Sequence, residues 1–241
     1  MTNIQAGVMI GEAPWGNLPV LAKSAGLDFI IVDTEHGGFD YGVLSSMLMN
    51  ARLADLFCIV RLGDNSRKEI TRLMDMGAAG LLLPMTETAE DIKAVVRYAK
   101  YSPAGKRGVS TTRAHSLYNP GKLTDYMRSA NENSRIFAQI ETKKGLANLE
   151  EILSADGVDG VFLGPNDLAC DLDCFDNPTP ILEAIKAMAA CAGCFQKESG
   201  IITAEEAFIR KAKESGMKYI GSGSEISILK QGFSQVKERI Q

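Results

Sequence analysis

No apolar run in the sequence approaches the ~18 residues that a membrane-spanning helix needs, and the first residues lack a basic stretch followed by an apolar core. These absences predict a cytosolic protein with no membrane partner. Nor does any segment concentrate lysine or arginine. With 26 basic against 30 acidic residues the net charge is -4, which leaves no electrostatic footprint for nucleic acid. No Pro/Gly/Ser-rich linker, repeat or low-complexity run divides the 241 residues, so one domain covering 1–241 is expected. The five cysteines are odd in number and fit no complete disulfide framework. Cys170, Cys174, Cys191 and Cys194 have a spacing that resembles a four-thiolate zinc site. Two of them fall inside the continuous helical pattern of residues 181–195, whereas zinc ribbons place such pairs on tight turns. Structural zinc is therefore not expected.

What the chain does contain is alternation. Short apolar runs, rich in β-branched residues as buried parallel strands are, are predicted at 8–10, 29–32, 57–60, 80–83, 136–140, 160–163, 200–203 and 219–220. Helical patterns are predicted between them at 18–25, 41–54, 66–76, 88–99, 123–130, 146–153, 180–195 and 204–215, with a last one at 225–240. Ser66 is a plausible N-cap and Gly77 closes the same helix. The fold class that follows is α/β, a (β/α)8 barrel, whose active site lies at the carboxyl ends of the strands.

The stretch 136–169 organises the chain. It reads as strand, helix, strand, long enough for a parallel crossover, and each strand is followed by an acid, Glu141 and then Asp167. Parallel strands of one βαβ unit finish at the same edge, so both carboxylates arrive on one face. Two hard oxygen ligands, with Gln139 beside them, suit a divalent cation that keeps several waters, such as Mg2+ or Mn2+. Gly164 and Pro165 make a tight turn before Asn166, where backbone N–H groups can face an anion.

Other strand ends add polar groups to the same rim. The second predicted strand runs into Asp33, Glu35 and His36, then two glycines. Imidazole titrates near neutrality and suits a proton-transfer role. The third strand ends on Arg61, and the fourth is followed by residues 84–86. No lysine stands at a strand end facing the barrel interior, which disfavours an imine mechanism. The loop 101–117 is long for a compact domain and is expected to serve function; His115 lies in it.

The segments 139–168 (QIET…GVDGVFLGPNDL), 33–36 (DTEH), 72–92 (RLMDMGAAGLLLPMTETAEDI) and 101–109 (YSPAGKRGV) resemble the HpcH/HpaI class of metal-dependent pyruvate aldolases over nearly the whole chain. The resemblance implies that Glu141 and Asp167 bind the metal, that His36 acts in proton transfer and that Asp75 is its orienting partner. Asp75 lies two turns into a helix that runs away from the rim, so a neighbouring subunit is expected to present it. The sequence departs from the family most at 171–177, where acids and cysteines replace a small connection, and at Glu225, where the family has aspartate.

The expected chemistry is reversible cleavage of a 4-hydroxy-2-oxo acid, of the 2-keto-3-deoxy sugar acid type, to pyruvate and an aldehyde. A divalent cation (Mg2+, Mn2+ or Co2+) would act as Lewis acid and Arg61 would stabilise the developing enolate. The catalytic set is His36, Arg61, Asp75 and Asp33; Gln139, Gly164, Pro165 and Asn166 would bind substrate; a homo-oligomer with interface-completed sites is expected. Two rivals are a lyase of the citrate lyase β-subunit or malyl-CoA lyase kind, which needs a CoA-binding surface, and a barrel that binds a metabolite without turning it over.

Overall fold

A computed structural model of the chain describes residues 3–241. Eight strands, β1 (Gln5–Ile10), β2 (Phe29–Asp33), β3 (Phe57–Arg61), β4 (Gly80–Leu83), β5 (Arg135–Ile140), β6 (Gly160–Leu163), β7 (Glu198–Ile202) and β8 (Tyr219–Ser224), pair in sequence order. All pairings are parallel, and β8 returns to β1 to close a barrel. Around it lie α1 (Leu18–Ser24), α2 (Tyr41–Leu53), α3 (Arg67–Met76), α4 (Ala89–Ala99), α5 (Leu123–Asn133), α6 (Lys143–Ala147), α7 (Leu149–Ser154), α8 (Pro165–Asp171), α9 (Thr179–Cys194), α10 (Glu206–Glu214) and α11 (Glu225–Ile240). The chain is thus an α/β protein of the (β/α)8 type.

The period-two alternation of each strand sends side chains to two different cores. Ile30, Val32, Cys58, Val60, Leu81, Leu83, Ile136 and Ile140 point outward and pack with helical residues such as Leu44, Leu48, Ile70, Leu73, Ile92 and Ile152. Their neighbours Phe29, Ile31, Ile59, Leu82, Phe137, Phe162 and Tyr219 fill the barrel interior. The interior is aromatic, with Phe137 edge-on to Phe162 at 5.2 Å and Phe29 edge-on to Tyr219 at 5.3 Å. At roughly 1.5–3 kcal/mol per fully buried large apolar side chain, these two layers supply the main stabilisation. Gly200 is required here, because a Cβ on it would run into the Phe162 ring.

Capping fixes the outer helices where the sequence placed them. Ser66 Oγ accepts from Glu69 N at 3.3 Å and Gly77 ends α3 in the left-handed region at φ 108. Thr88 and Asp91 form a capping box on α4. Three expectations need correction. The single helix expected at 146–153 is two short ones, α6 and α7, which meet at Asn148 with φ -96 and ψ 16. Pro165, expected only in a turn, opens α8, where its missing N–H costs nothing at the first helical position. The first and eighth strands run longer than expected, 6 residues each, because Gln5, Ala6, Gly221 and Ser224 pair despite lacking β-forming side chains.

One helix stands apart. The 16 residues of α11 meet the barrel mainly through β1 and β8, and Glu225 is the helix's one buried residue. Ile226, Ile228, Leu229, Phe233, Val236 and Ile240 are all exposed, Phe233 at 70%.

Candidate active site

The carboxyl ends of the strands surround a cavity of about 440 Å3, lined among others by His36, Arg61, Gln139, Gly164, Pro165, Asn166 and Asp167. Seven residues singled out from sequence therefore share one cavity, although they come from four different strand ends.

Asp33 and Arg61 are direct partners in the β2–β3 register and meet in a two-pronged ion pair. Arg61 Nε donates to Asp33 Oδ1 at 2.9 Å and Arg61 Nη2 to Asp33 Oδ2 at 2.6 Å. Asp33 Oδ1 also accepts from the backbone N–H of Glu35 at 3.0 Å and of His36 at 3.4 Å. Burial alone would raise the Asp33 carboxyl, but the bonded Arg61 charge and the two N–H donors hold it below its ordinary value. Asp33 thus positions Arg61 and shapes the turn that carries His36. Arg61 keeps Nη1 toward Glu35, at 3.3 Å. Glu35 itself is raised by burial, with Asp33 and Asp167 adding to the effect and Arg61 opposing it. The His36 side chain is 73% exposed, with Nε2 3.9 Å from Glu35 Oε2.

Glu141 is buried at the end of β5. Its Oε1 accepts from Met85 N at 2.6 Å and its Oε2 from Gln139 Nε2 at 2.7 Å. Burial, and then the charges of Asp167 and Glu35, push its carboxyl up to about 7 against those donors and Arg61. Gln139 Oε1 is buried with no hydrogen-bond partner. Gly164, in the β6–α8 turn, closes over both side chains; a Cβ there would run into Glu141 Oε2 and Gln139 Nε2. Asp167 stands in the first turn of α8. Glu35 and Glu141 thus crowd one guanidinium that Asp33 already holds, and Asp167 adds a further acid beside those two. Such a site is short of positive charge, and the hard oxygens of Glu141 and Asp167 fit a divalent cation. Among the described residues no group of three or more His, Cys, Asp or Glu side chains is placed to hold a metal. The same holds for the four cysteines, of which Cys170 and Cys194 are exposed.

Asp75 is elsewhere. Within the chain it does not meet His36; its Oδ1 accepts from Arg107 Nη2 at 2.6 Å, and Arg113 and His115 each lie 3.7 Å away. It therefore ties the 101–117 loop to α3. His115, which its place in a long loop makes a solvated histidine before a substrate contact, is buried instead. Its Nδ1 bonds the Tyr126 hydroxyl and its Nε2 the Ser110 carbonyl, at 3.1 Å. Arg113 joins Arg67, Lys68 and Arg72 of α3 around an open cavity of about 760 Å3 that Asp75 also lines.

Several site residues were not singled out. Glu35 was noted only as part of its motif, although its carboxylate faces Arg61 and His36. Thr203, Gly223 and Ser224 line the cavity opposite the acids. Their position at the carboxyl ends of β7 and β8 is the available signal: the strand expected at 200–203 already ended on Thr203, whereas the one expected at 219–220 stopped short of Gly223 and Ser224.

A barrel with this acid-rich rim belongs to the (β/α)8 enzymes that do their chemistry at the carboxyl ends of the strands. More specifically, the chain belongs to the HpcH/HpaI aldolase/citrate lyase family, whose model matches residues 19–229. It is 33% identical over 216 residues to a 5-keto-4-deoxy-D-glucarate aldolase of Klebsiella pneumoniae subsp. pneumoniae, a match covering 89% of this chain and 84% of that one. It is 32% identical over 238 residues to a 4-hydroxy-2-oxo-heptane-1,7-dioate aldolase of Salmonella dublin, covering 98% and 89%. Among solved structures, an HpcH/HpaI aldolase from Desulfitobacterium hafniense DCB-2 superposes with a TM-score of 0.92 at 28% identity, covering 99% of this chain and 93% of that chain.

Proposed function

We propose that the chain is a carbon–carbon lyase that reversibly cleaves a 4-hydroxy-2-oxo acid of the 2-keto-3-deoxy sugar acid type to pyruvate and an aldehyde. The observation that carries this is Asp167 on the cavity that also holds His36 and Arg61, with Glu141 buried directly behind the lining residues Gln139 and Gly164. The aldolase names of two relatives above 30% identity favour it over a citrate lyase or malyl-CoA lyase activity.

In the cleavage direction His36 takes the proton of the C4 hydroxyl. The C3–C4 bond then breaks, C4 leaves as the aldehyde carbonyl, and the electron pair passes to the 2-oxo group as an enolate. Arg61, fixed by Asp33, sets a guanidinium beside the oxygen where that charge develops. A proton returned to C3 completes pyruvate. Glu141 and Asp167 would hold a divalent cation, Mg2+, Mn2+ or Co2+, with Gln139 Oε1 as a spare acceptor at the same place. Such a cation supplies Lewis-acid polarisation of the 2-oxo group. The turn at Gly164, Pro165 and Asn166 lets the substrate's acid end approach backbone closely.

The small-molecule partners are therefore pyruvate, or a 2-oxo acid, and an aldehyde. We further propose a homo-oligomer: the exposed apolar face of α11 favours association with a second copy. Interface completion of the site belongs to the same proposal, since Asp75 Oδ2 accepts no hydrogen bond among the described residues, with Arg113 Nε 3.7 Å away, and Asp75 borders an open cavity.

A coupled assay for pyruvate release over a panel of 4-hydroxy-2-oxo acids tests the function. Activity is expected with added divalent cation, is expected to vanish after chelation and to return on readdition. Full activity in chelator-stripped protein would refute the metal site, and no release from any panel member would refute the lyase.

A further inference from the structure

Glu225 is buried and takes no part in the chemistry above. It opens α11, yet that helix does not need it as a cap, because Ser224 Oγ already accepts from Ser227 N at 3.3 Å. The Glu225 carboxylate crosses instead to the segment directly after β1. Its Oε1 accepts from the backbone N–H groups of Gly11 at 2.9 Å, Glu12 at 2.6 Å and Ala13 at 2.9 Å. Three consecutive N–H groups turned onto one oxygen form an anion-holding nest, and charge-assisted bonds of this kind are the strong ones. Oε2 is buried with no hydrogen-bond partner among the described residues, so the polar contacts of Glu225 all go to this loop.

The loop so held abuts the turn that carries His36. A Cβ on Gly37 would stand 2.8 Å from the Gly11 carbonyl oxygen and would also run into that of Asp33, so the two backbones meet where only hydrogen fits. The turn therefore has two supports. Asp33 Oδ1 bonds the N–H groups of Glu35 and His36, and Gly11 bears on the residue after His36. The His36 ring has no support of its own: it is exposed, makes no hydrogen bond among the described residues and stays 3.9 Å from Glu35. An imidazole without a bonded partner is aimed by its backbone, and a misplacement of about 1 Å can cost about 100-fold in rate. Resting on the aldolase assignment above, we propose that Glu225 is a positioning residue. Through the backbone of residues 11–13 it sets where His36 stands for proton transfer at the C4 hydroxyl. Glu225 does not line the cavity, whereas its neighbour Ser224 does, so it acts through His36 and not by touching substrate.

A double-mutant cycle tests the coupling, with kcat for aldol cleavage measured in cation-loaded enzyme. Glu225→Gln keeps the size of the side chain and removes its charge. It is expected to lower kcat about tenfold with KM changed less than about twofold, and Glu225→Asp, which keeps the charge, is expected to lose less. In a His36→Ala background Glu225→Gln is expected to cost less than about twofold, because the group it positions is gone. The same tenfold loss in both backgrounds would reduce Glu225 to a structural role and overturn the proposal. A second readout needs no turnover. The chain has 2 histidines, so His36→Ala assigns the imidazole signals of His36 and His115 in a 1H–13C spectrum. Glu225→Gln is expected to shift the His36 signal and to leave that of His115, which Tyr126 and Ser110 bond, where it is. An unmoved His36 signal would overturn the proposal, whatever activity His36→Ala retains for the cycle. Movement of both signals would mean a general loosening and would overturn it as well. No cleavage by the parent enzyme would overturn the aldolase assignment instead, and the spectrum would still decide whether Glu225 sets the His36 turn.

Discussion

Arg61 is held on two sides before any substrate arrives, and that fixes what its variants should do. Lysine keeps the charge but cannot reproduce a fork that bonds Asp33 through two nitrogens while offering the third. The pair also carries stability, because removing one partner of a buried ion pair strands the other, at roughly 3–5 kcal/mol. Its pH dependence has a definite sign. Asp33 lies below its ordinary value of 3.8 in the folded chain, so the unfolded chain binds its proton first as pH falls. The contribution is fully present above about 3.8 and is lost as pH drops through the lower folded value. Melting temperatures across the acid range should therefore fall less steeply for Asp33→Asn than for the parent; equal slopes would mean the pair is not coupled to folding. Much at this scale was legible in the sequence, because acids, imidazole and guanidinium directly after apolar runs mark strand ends. What was not legible was allegiance. Sequence shows Arg61 at a strand end but not that Asp33 claims it, and it shows His115 in a loop but not that Tyr126 and Ser110 bond it there.

Elements were legible where pattern and punctuation agreed. α3 and α4 carry apolar residues at helical spacing between an N-capping hydroxyl and a stop, and they form as expected. The break between α6 and α7 was not legible, because Leu146, Leu149, Ile152 and Leu153 keep a helical period across it. Asn148 departs from helical geometry while its Nδ2 donates to the Glu87 carbonyl at 2.9 Å, a tertiary contact that no local period contains. The ends of β1 and β8 were hidden because glycine and serine pair there through backbone alone. In α11 the pattern was visible but its meaning was not, since the apolar stripe stays exposed among the described residues. Replacing Phe233 and Val236 together by Glu should shift the particle mass in solution to a smaller species without unfolding the barrel. A parent chain that is already monomeric in sedimentation would contradict the role given to this helix.

At the scale of the whole molecule, barrel closure places the acids, Arg61 and His36 on one rim, while α3 carries Asp75 to a different, basic cavity. If a second copy lays that cavity over the rim, His36→Ala and Asp75→Asn should each be poor catalysts. Mixing the two after dissociation should then recover activity, because a hybrid interface pairs an intact His36 with an intact Asp75. No recovery, or a fully active Asp75→Asn, would leave Asp75 solely as the anchor of Arg107 and its loop. The aldolase chemistry would survive that outcome, because it needs only the rim to stabilise an enolate. That requirement is measured most directly by proton exchange at C3 of pyruvate in deuterated water, where no acceptor takes part. Exchange is expected with a divalent cation present, absent after chelation, and slowed about 100-fold in Arg61→Lys. Exchange that proceeds equally in stripped protein, or at the parent rate in Arg61→Ala, would contradict the account at its centre.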